Sequence, residues 1–387
     1  MKIIQYCQHV WGVGHLFRTL EILKALSDHE IVMVTGGERV DIPLPNHVRE
    51  IHLPEIMMDL DYKGFLTTDA ELSFPEVKAK RIKQLYEIFQ NETPDLFIVE
   101  LYPFGRNAFR FELNPVLKAI RNNDLRKCMV ICSIRDILVE KKDQAAFEER
   151  VITRLNQWFD AILIHSDPNL VILDDTFSRI SDIKPIIHYT GFVSAEPPSN
   201  SREKFRKKLN ISEDAILMVA SAGGGRSGAP LLRSVISAFR SIRIDRPSFL
   251  FVFTGPYMSR QDFEHIKELS GNGISVSRFT DDFLSYLIAA DLSVSMGGYN
   301  TCMNIIATKI PAMVLPFSGD REQGIRVNRL DRLGILKQLN ERDLEPKRLS
   351  KLMEEAIFRK PSSPVSIDIS GALNTALWVE ENVSVHR

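Results

Sequence analysis

Three glycine-rich segments and one histidine stand where this chain could do chemistry. The first is Gly12-Val13-Gly14-His15, shortly after the apolar run Ile3-Ile4-Gln5-Tyr6. The second is Ser221-Ala222-Gly223-Gly224-Gly225-Arg226-Ser227-Gly228, between an apolar run ending at Ala220 and a helix-like run from Pro230. The third is Ser295-Met296-Gly297-Gly298-Tyr299-Asn300-Thr301, after Leu292–Val294 and ahead of a helix-like run through Ile306. Glycines let a backbone approach a ligand closely. A helix that starts beside them offers unpaired N–H groups and the positive end of its dipole to an anion. The second and third segments are therefore suited to cradling phosphate oxygens, with Asn300 and Thr301 adding polar side chains; the alternative for each is ordinary turn chemistry. No Gly-Lys-Ser/Thr follows the second, so it is not a Walker loop. His15 opens its helix, where the dipole favours the neutral imidazole that a general base needs; the alternative is a capping histidine. A fourth loop, Pro316–Gln323, sets Glu322 and Gln323 where a carboxylate and an amide could meet sugar hydroxyls.

The elements that must position these loops are short apolar strands alternating with helices. Strand-like runs occur at Ile3–Tyr6, Ile31–Thr35, Leu96–Val99, Met129–Cys132 and Ala161–His165, and again at Ala215–Ala220, Phe249–Thr254, Leu292–Val294 and Ala312–Leu315. Helix-like runs lie between them, for example His15–Leu26 and Leu232–Ile242. That alternation predicts βαβ units and parallel sheets, and in such sheets ligands sit beyond the carboxyl ends of the strands. A length of 387 residues accommodates two domains. The Pro/Ser/Asn cluster at 194–201 reads as a linker. The expected organisation is an N-terminal domain over 1–193, a C-terminal domain over 202–364 and a last helical segment, 365–387, packing back on the first domain.

Composition narrows the function. With 49 Lys+Arg against 50 Asp+Glu there is no basic excess of the kind a nucleic-acid binder shows. Cys128 and Cys132 sit inside the apolar run CMVIC and read as small buried strand residues rather than a metal or redox pair. No signal-peptide run or membrane-spanning stretch is visible, so a cytoplasmic protein is expected, with peripheral membrane contact left open. Asp59-Leu60-Asp61 imitates a metal-binding Asp-x-Asp, but it stands apart from the glycine loops. Asp174-Asp175 and Asp281-Asp282 read as helix caps. Ile56-Met57-Met58 and Tyr62–Leu66 are core packing or an apolar rim.

Met296–Thr301 and Asp320–Gln323, with Pro311 between them, resemble the donor-site pattern of GT-B glycosyltransferases. The chain is similar to the lipid-II N-acetylglucosaminyl transferase group (family 28-like). Glu100–Arg106, Cys132–Leu138, His165–Pro168, Ser221–Gly225 and Met296–Thr301 further resemble a bacterial group known only as predicted glycosyltransferases. The resemblance implies an α/β GT-B fold, two doubly wound Rossmann-like domains facing a central cleft. It implies transfer of a sugar from a nucleotide sugar, expected to be a UDP-sugar, to an unidentified acceptor hydroxyl, without a metal or other cofactor. His15 is the implied base, and Gly14, Glu100, Arg135 and Asp136 lie on the acceptor side. The implied donor site comprises Gly223, Gly224, Gly225, Arg226, Phe279, Thr280, Met296, Gly297, Gly298, Asn300, Thr301, Asn304, Glu322 and Gln323. Phe279 and Thr280 match the segment that reads the base, and Glu322 and Gln323 the pair that contacts the sugar. Asn304 is a departure, standing where relatives carry a ribose-binding Glu; Met296 stands where plant and animal relatives have His. The alternatives are a nucleotide-sugar hydrolase on the same fold, since Gly14–Arg18 resembles the turn of such enzymes, and a catalytically weak nucleotide-sugar-binding subunit.

Overall fold

The computed structural model describes residues 1–8, 14–37, 39–40, 42–58, 65–67, 72–139, 141–199, 202–225, 227–358 and 366–383. The chain divides into two compact units, one of Met1–Val193 with Ser370–Arg387, the other of Ser194–Ile369.

The first unit is built on a seven-stranded parallel sheet. Its strands are β1 (Lys2–Tyr6), β2 (Glu30–Thr35), β3 (Val48–His52), β6 (Leu96–Glu100), β7 (Met129–Arg135), β8 (Ala161–His165) and β9 (Ile186–Tyr189), in the order β3-β2-β1-β6-β7-β8-β9. β4 (Ile56–Met58) and β5 (Phe65–Thr67) form a separate antiparallel pair. The strands are apolar along both faces because both are covered. On one face Ile4, Val32, Phe97, Val130 and Ile162 pack against α2 (Phe74–Glu92), α3 (Arg110–Asn122) and α4 (Gln144–Trp158). On the other, Ile3, Ile31, Ile98, Ile131 and Leu163 meet α1 (Gly14–Ala25) and the chain's last helix. Period-two alternation along each strand delivers the two sets. α2 starts with a capping box between Ser73 and Glu76, and Asp143 caps α4 by accepting from the Ala146 N–H at 3.0 Å. Cys128 and Cys132 lie in the core, and burial pushes the Cys128 thiol up to about 12.

The second unit has a six-stranded parallel sheet. Its strands are β10 (Ile216–Ser221), β11 (Ser248–Phe253), β12 (Ile274–Ser277), β13 (Leu292–Met296), β14 (Ala312–Leu315) and β15 (Lys337–Gln338), in the order β12-β11-β10-β13-β14-β15. The helices are α5 (Arg202–Lys208), α6 (Ala229–Phe239), α7 (Arg260–Lys267), α8 (Phe283–Ala289), α9 (Tyr299–Thr308), α10 (Arg321–Arg332) and α11 (Pro346–Ile357). Met218, Ala220, Leu250, Val252, Leu292 and Val294 form one core with α6 and α11. Asp291, just before β13, ties the opening helix to the sheet. It accepts from Arg202 at 2.5 Å, from Arg206 at 2.8 Å and from the Leu217 N–H at 2.8 Å. After Ile369 the chain returns to the first unit. Ser370 bridges Val193, and α12 (Gly371–Asn382) packs on α1, burying Trp378 and Val379. No helix among the described residues is long and apolar enough to cross a membrane.

A buried ion pair braces the first unit. Arg81 on α2 and Glu112 on α3 are both fully enclosed; Arg81 Nε and Nη2 donate to the two Glu112 oxygens at 2.7 and 2.6 Å. Tyr6 also donates to Glu112, and Arg81 reaches the Pro54 carbonyl and Gln8. Removing one partner leaves an unpaired buried charge, which costs about 3–5 kcal/mol. Glu112→Leu is therefore expected to lower the first unit's denaturant midpoint strongly, while the Arg81→Met/Glu112→Leu double variant recovers much of the loss; chemical unfolding of the three proteins checks this.

Candidate functional site

Each sheet reverses its strand order once. In the first unit the reversal falls between β1 and β6, in the second between β10 and β13. Connections leave in opposite directions at such a point, opening a crevice beyond the carboxyl ends of the strands. The candidate residues gather at these two places.

In the first unit, α1 follows β1 and begins at Gly14; Gly12 and Val13 of the sequence motif lie outside the described residues. His15 in its first turn meets Glu100, the last residue of β6. Nδ1 lies 2.5 Å from Oε1, and because a carboxylate only accepts, Nδ1 carries the proton and Nε2 keeps its lone pair. The same Oε1 accepts from Arg18 Nη2 at 2.7 Å, and Arg106 Nε stands 3.9 Å from Oε2. Glu100 is wholly buried, while the His15 side chain keeps 17% of its surface exposed. Burial lowers the His15 pKa to about 4; Glu100 opposes this and Arg106 and Arg135 add to it. Burial works against ionised Glu100, yet His15, Arg18 and Arg106 outweigh it and hold the carboxyl well below the usual range. Beneath this cluster Ser133 bonds His165 Nε2 at 2.7 Å and Thr190 bonds Nδ1 at 2.8 Å, with burial keeping that ring neutral.

Of the acceptor-side residues, Gly14 and Glu100 flank His15 and Arg135 bears on it electrostatically, whereas Asp136 is fully buried. Sequence reasoning gave no role to Arg18, Arg106 or His165. A signal was present for Arg18, a cation on the face of α1 that carries Ile22 into the core, and for His165, a polar residue ending a wholly buried strand.

In the second unit, the loop between β10 and α6 turns through Gly223 (φ 61°) and Gly225 (φ 98°). Gly255 (φ 83°), after β11, packs so tightly on this loop that a Cβ would lie 2.2 Å from the Gly223 oxygen. The Gly223 N–H is held by Ser221 Oγ at 3.2 Å. Across the switch point, β13 ends at Met296, Gly297 is pressed against Val327 and Pro316, and Gly298 caps α9. The Thr301 hydroxyl sits between the two loops, 3.9 Å from a Cβ built on Gly223 and 4.0 Å from one built on Gly298. Asn300 is partly exposed in the first turn of α9, and Asn304, one turn on, is partly buried. Phe279 presents 56% of its surface to solvent, and Thr280 caps the following turn through the Asp282 N–H. In the loop before α10, Asp320 caps the helix by accepting from the Glu322 and Gln323 N–H groups. Gln323 spends its amide inside the loop, accepting from Phe317 N–H at 3.1 Å and donating to Asp320 at 3.1 Å, and Glu322 is buried. Arg226, Asp59 and Asp61 lie outside the described residues, as do Asp69, Glu71 and residues 60–64.

Comparison with known proteins fits this geometry. Residues 218–366 match the Glycosyltransferase family 28 C-terminal domain. An uncharacterized glycosyltransferase of Methanopyrus kandleri is 22% identical over 54% of this chain and 59% of its own length. A UDP-N-acetylglucosamine--N-acetylmuramyl-(pentapeptide) pyrophosphoryl-undecaprenol N-acetylglucosamine transferase of Carboxydothermus hydrogenoformans is 30% identical over 30% of this chain and 31% of its own length. The chain thus spans less than two thirds of either relative. The NDP-glycosyltransferase YjiC of Bacillus subtilis is 25% identical over 83% of this chain and 81% of its own. Among solved structures, the calicheamicin glycosyltransferase CalG4 superposes with a TM-score of 0.61 at 15% identity, covering 98% of this chain and 96% of that one. The UDP-GlcNAc 2-epimerase of Methanocaldococcus jannaschii does so with 0.63 at 12% identity, covering 99% and 100%. The fold is the GT-B fold, and the stretch that matches the family 28 domain lies within the second unit.

The glycine geometry separates folding from binding. Gly255 needs both its positive φ and its missing Cβ, whereas a Cβ on Gly224 meets nothing closer than Tyr257 Cδ2 at 3.7 Å. Gly255→Ala is expected to lower the melting temperature clearly, and Gly224→Ala to leave it within about 1–2 °C, as differential scanning calorimetry of the two variants will register.

Proposed function

We propose that this protein is a glycosyltransferase that moves a sugar from a nucleotide sugar, a UDP-sugar in the first instance, to an acceptor hydroxyl. The observation that carries the reading is the pair of glycine loops at the β10/β13 switch point, inside the stretch that matches the family 28 domain. Backbone N–H groups at the starts of α6 and α9 would hold the pyrophosphate, with Asn300 and Thr301 adding hydrogen bonds. Phe279 and Thr280 would meet the base, Asn304 the ribose, and the loop around Glu322 and Gln323 the sugar.

In the transfer, His15 Nε2 takes the proton of the acceptor hydroxyl. The hydroxyl oxygen bonds to the anomeric carbon as the bond from that carbon to the phosphate oxygen breaks. The leaving electron pair rests on the pyrophosphate, and the loop N–H groups stabilise its growing charge. This scheme routes no step through a metal. A hydrolase would use the same ring on water, and sugar released from the donor without an acceptor would replace the transferase reading with that one.

The donor half is tested by thermal shift. UDP is expected to raise the melting temperature of the wild type. Gly224→Asp, which puts a carboxylate against the phosphates, should abolish the shift, and Asn300→Ala should weaken it; unchanged UDP binding in both would reject the donor site. His15→Ala should keep UDP affinity within a few-fold and cut turnover by roughly 10²–10⁴-fold.

The pH profile has a definite sign. With its pKa lowered to about 4, His15 stays a neutral base through mildly acid pH and is lost only as pH falls through that value. The acid limb belonging to His15 is expected near pH 4. A limb near the ordinary histidine value of about 6.5 that survives in His15→Ala would assign the proton transfer to another group.

A further inference from the structure

Glu100 serves more partners than a simple histidine–carboxylate pair requires. Its Oε1 accepts from His15 Nδ1 at 2.5 Å and from Arg18 Nη2 at 2.7 Å, so one oxygen holds both donors. Arg18 follows His15 by three residues on α1, and this spacing sets the two side chains side by side. Arg106 reaches toward the other oxygen, 3.9 Å from Oε2. Arg18 is 4% exposed and Glu100 1%. Arg135, at the end of β7, adds positive charge near the ring. From the remaining neighbours, Cys7 after β1 is a buried thiol, and His165 on β8 is a neutral ring bonded at both nitrogens.

A histidine paired with a lone buried carboxylate tends to gain a second proton, because the ion pair compensates the buried charge. A doubly protonated ring accepts nothing. Here the carboxylate is already met by the guanidinium groups of Arg18 and Arg106, and the charge of Arg106 and Arg135 opposes a further proton on His15.

We propose that Arg18 is a positioning residue for the transfer: it fixes Glu100 as the acceptor of the His15 Nδ1 proton and, with Arg106, keeps Nε2 free of a proton. This rests on the reading of His15 as the base. Arg18 acts through Glu100 and touches neither substrate.

The test is an NMR titration of the histidine rings in the full chain without substrate, the His15 signal being identified by its loss in His15→Ala. The wild-type ring should stay neutral to about pH 4. In Arg18→Met the midpoint should rise by about one unit or more, a tenfold gain in proton affinity. Arg18→Lys, which keeps the charge, should restore most of the wild-type behaviour. The UDP thermal shift should be unchanged in both. With donor and acceptor supplied, the acid limb of kcat in Arg18→Met should move up with the His15 midpoint, from near pH 4 to about one unit higher or more, while KM for the donor stays constant. An Arg18→Met protein that melts lower while His15 titrates as in the wild type would overturn the proposal and leave Arg18 a packing residue. Should Arg18→Met not fold, Arg106→Met must give the same upward shift, and an unmoved midpoint there overturns it equally. Because the titration uses no substrate, turnover that survives in His15→Ala would reject the base without touching this result.

Discussion

A parallel sheet can present a ligand site only where its crossover connections part, and this constraint governs both halves of the chain. β1 and β6 are neighbours in space but lie far apart in sequence, and so are β10 and β13. Between such strands the loops diverge, and the helices that follow aim free N–H groups at the gap. The glycine loops and the histidine–carboxylate pair stand at those positions. His15 and Glu100 come from the two sides of the first gap, and Gly223–Gly225 and Gly297–Gly298 from the two sides of the second.

Two of the first unit's buried carboxylates, Glu112 and Glu100, are held differently. Glu112 is met at both oxygens by Arg81 and again by Tyr6, and both of these partners are fully buried. Such a saturated pair is a brace between α2 and α3. Glu100 crowds its partners onto Oε1 and leaves Oε2 without a hydrogen bond, as are Arg106 Nε and Nη2. Its histidine is the most exposed of these partners, at 17% against 9% for Arg106 and 3% for Arg18. Incompletely satisfied buried polar groups are costly to a fold, so they are expected where the arrangement serves something besides stability.

Much of this could be read from the sequence, and what escaped has physical reasons. Short apolar strands are local signals, and β1, β2, β6, β7, β8, β10, β11, β13 and β14 all followed from them. β3 and β12 did not, because Val48-Arg49-Glu50-Ile51-His52 and Ile274-Ser275-Val276-Ser277 are edge or near-edge strands with polar exposed positions. The long helices α2 and α3 carry many charges, and their apolar faces are legible only once the sheet they cover is known. Glu100 was within reach, since a carboxylate ends the wholly buried run Leu96–Val99. Its link to His15 was not, because 85 residues separate them and only the strand order brings them together. Gln323 was legible as a residue suited to a sugar contact, but not its fixed place in the loop, where one accepted and one donated bond to Phe317 and Asp320 orient the amide.

The glycines of the second unit show how far folding alone explains the donor loops. Gly225 turns through φ 98°, and a Cβ there would strike the Thr254 oxygen at 2.4 Å. Gly255 is excluded from any side chain by the Gly223 oxygen, and Gly297 by Val327. These three are required by packing whatever the loops do. Gly224 is different: it has ordinary backbone angles, is exposed, and has room for a methyl group. Gly223 needs glycine for its φ of 61° but not for space. The bare stretch Gly223-Gly224 therefore does something that packing does not require. It leaves exposed backbone without side chains at the mouth of the switch point, with the Thr301 hydroxyl from the first turn of α9 close by. A phosphate needs that kind of close approach, and a loop built only to fold would have had no reason to give up the side chain at Gly224.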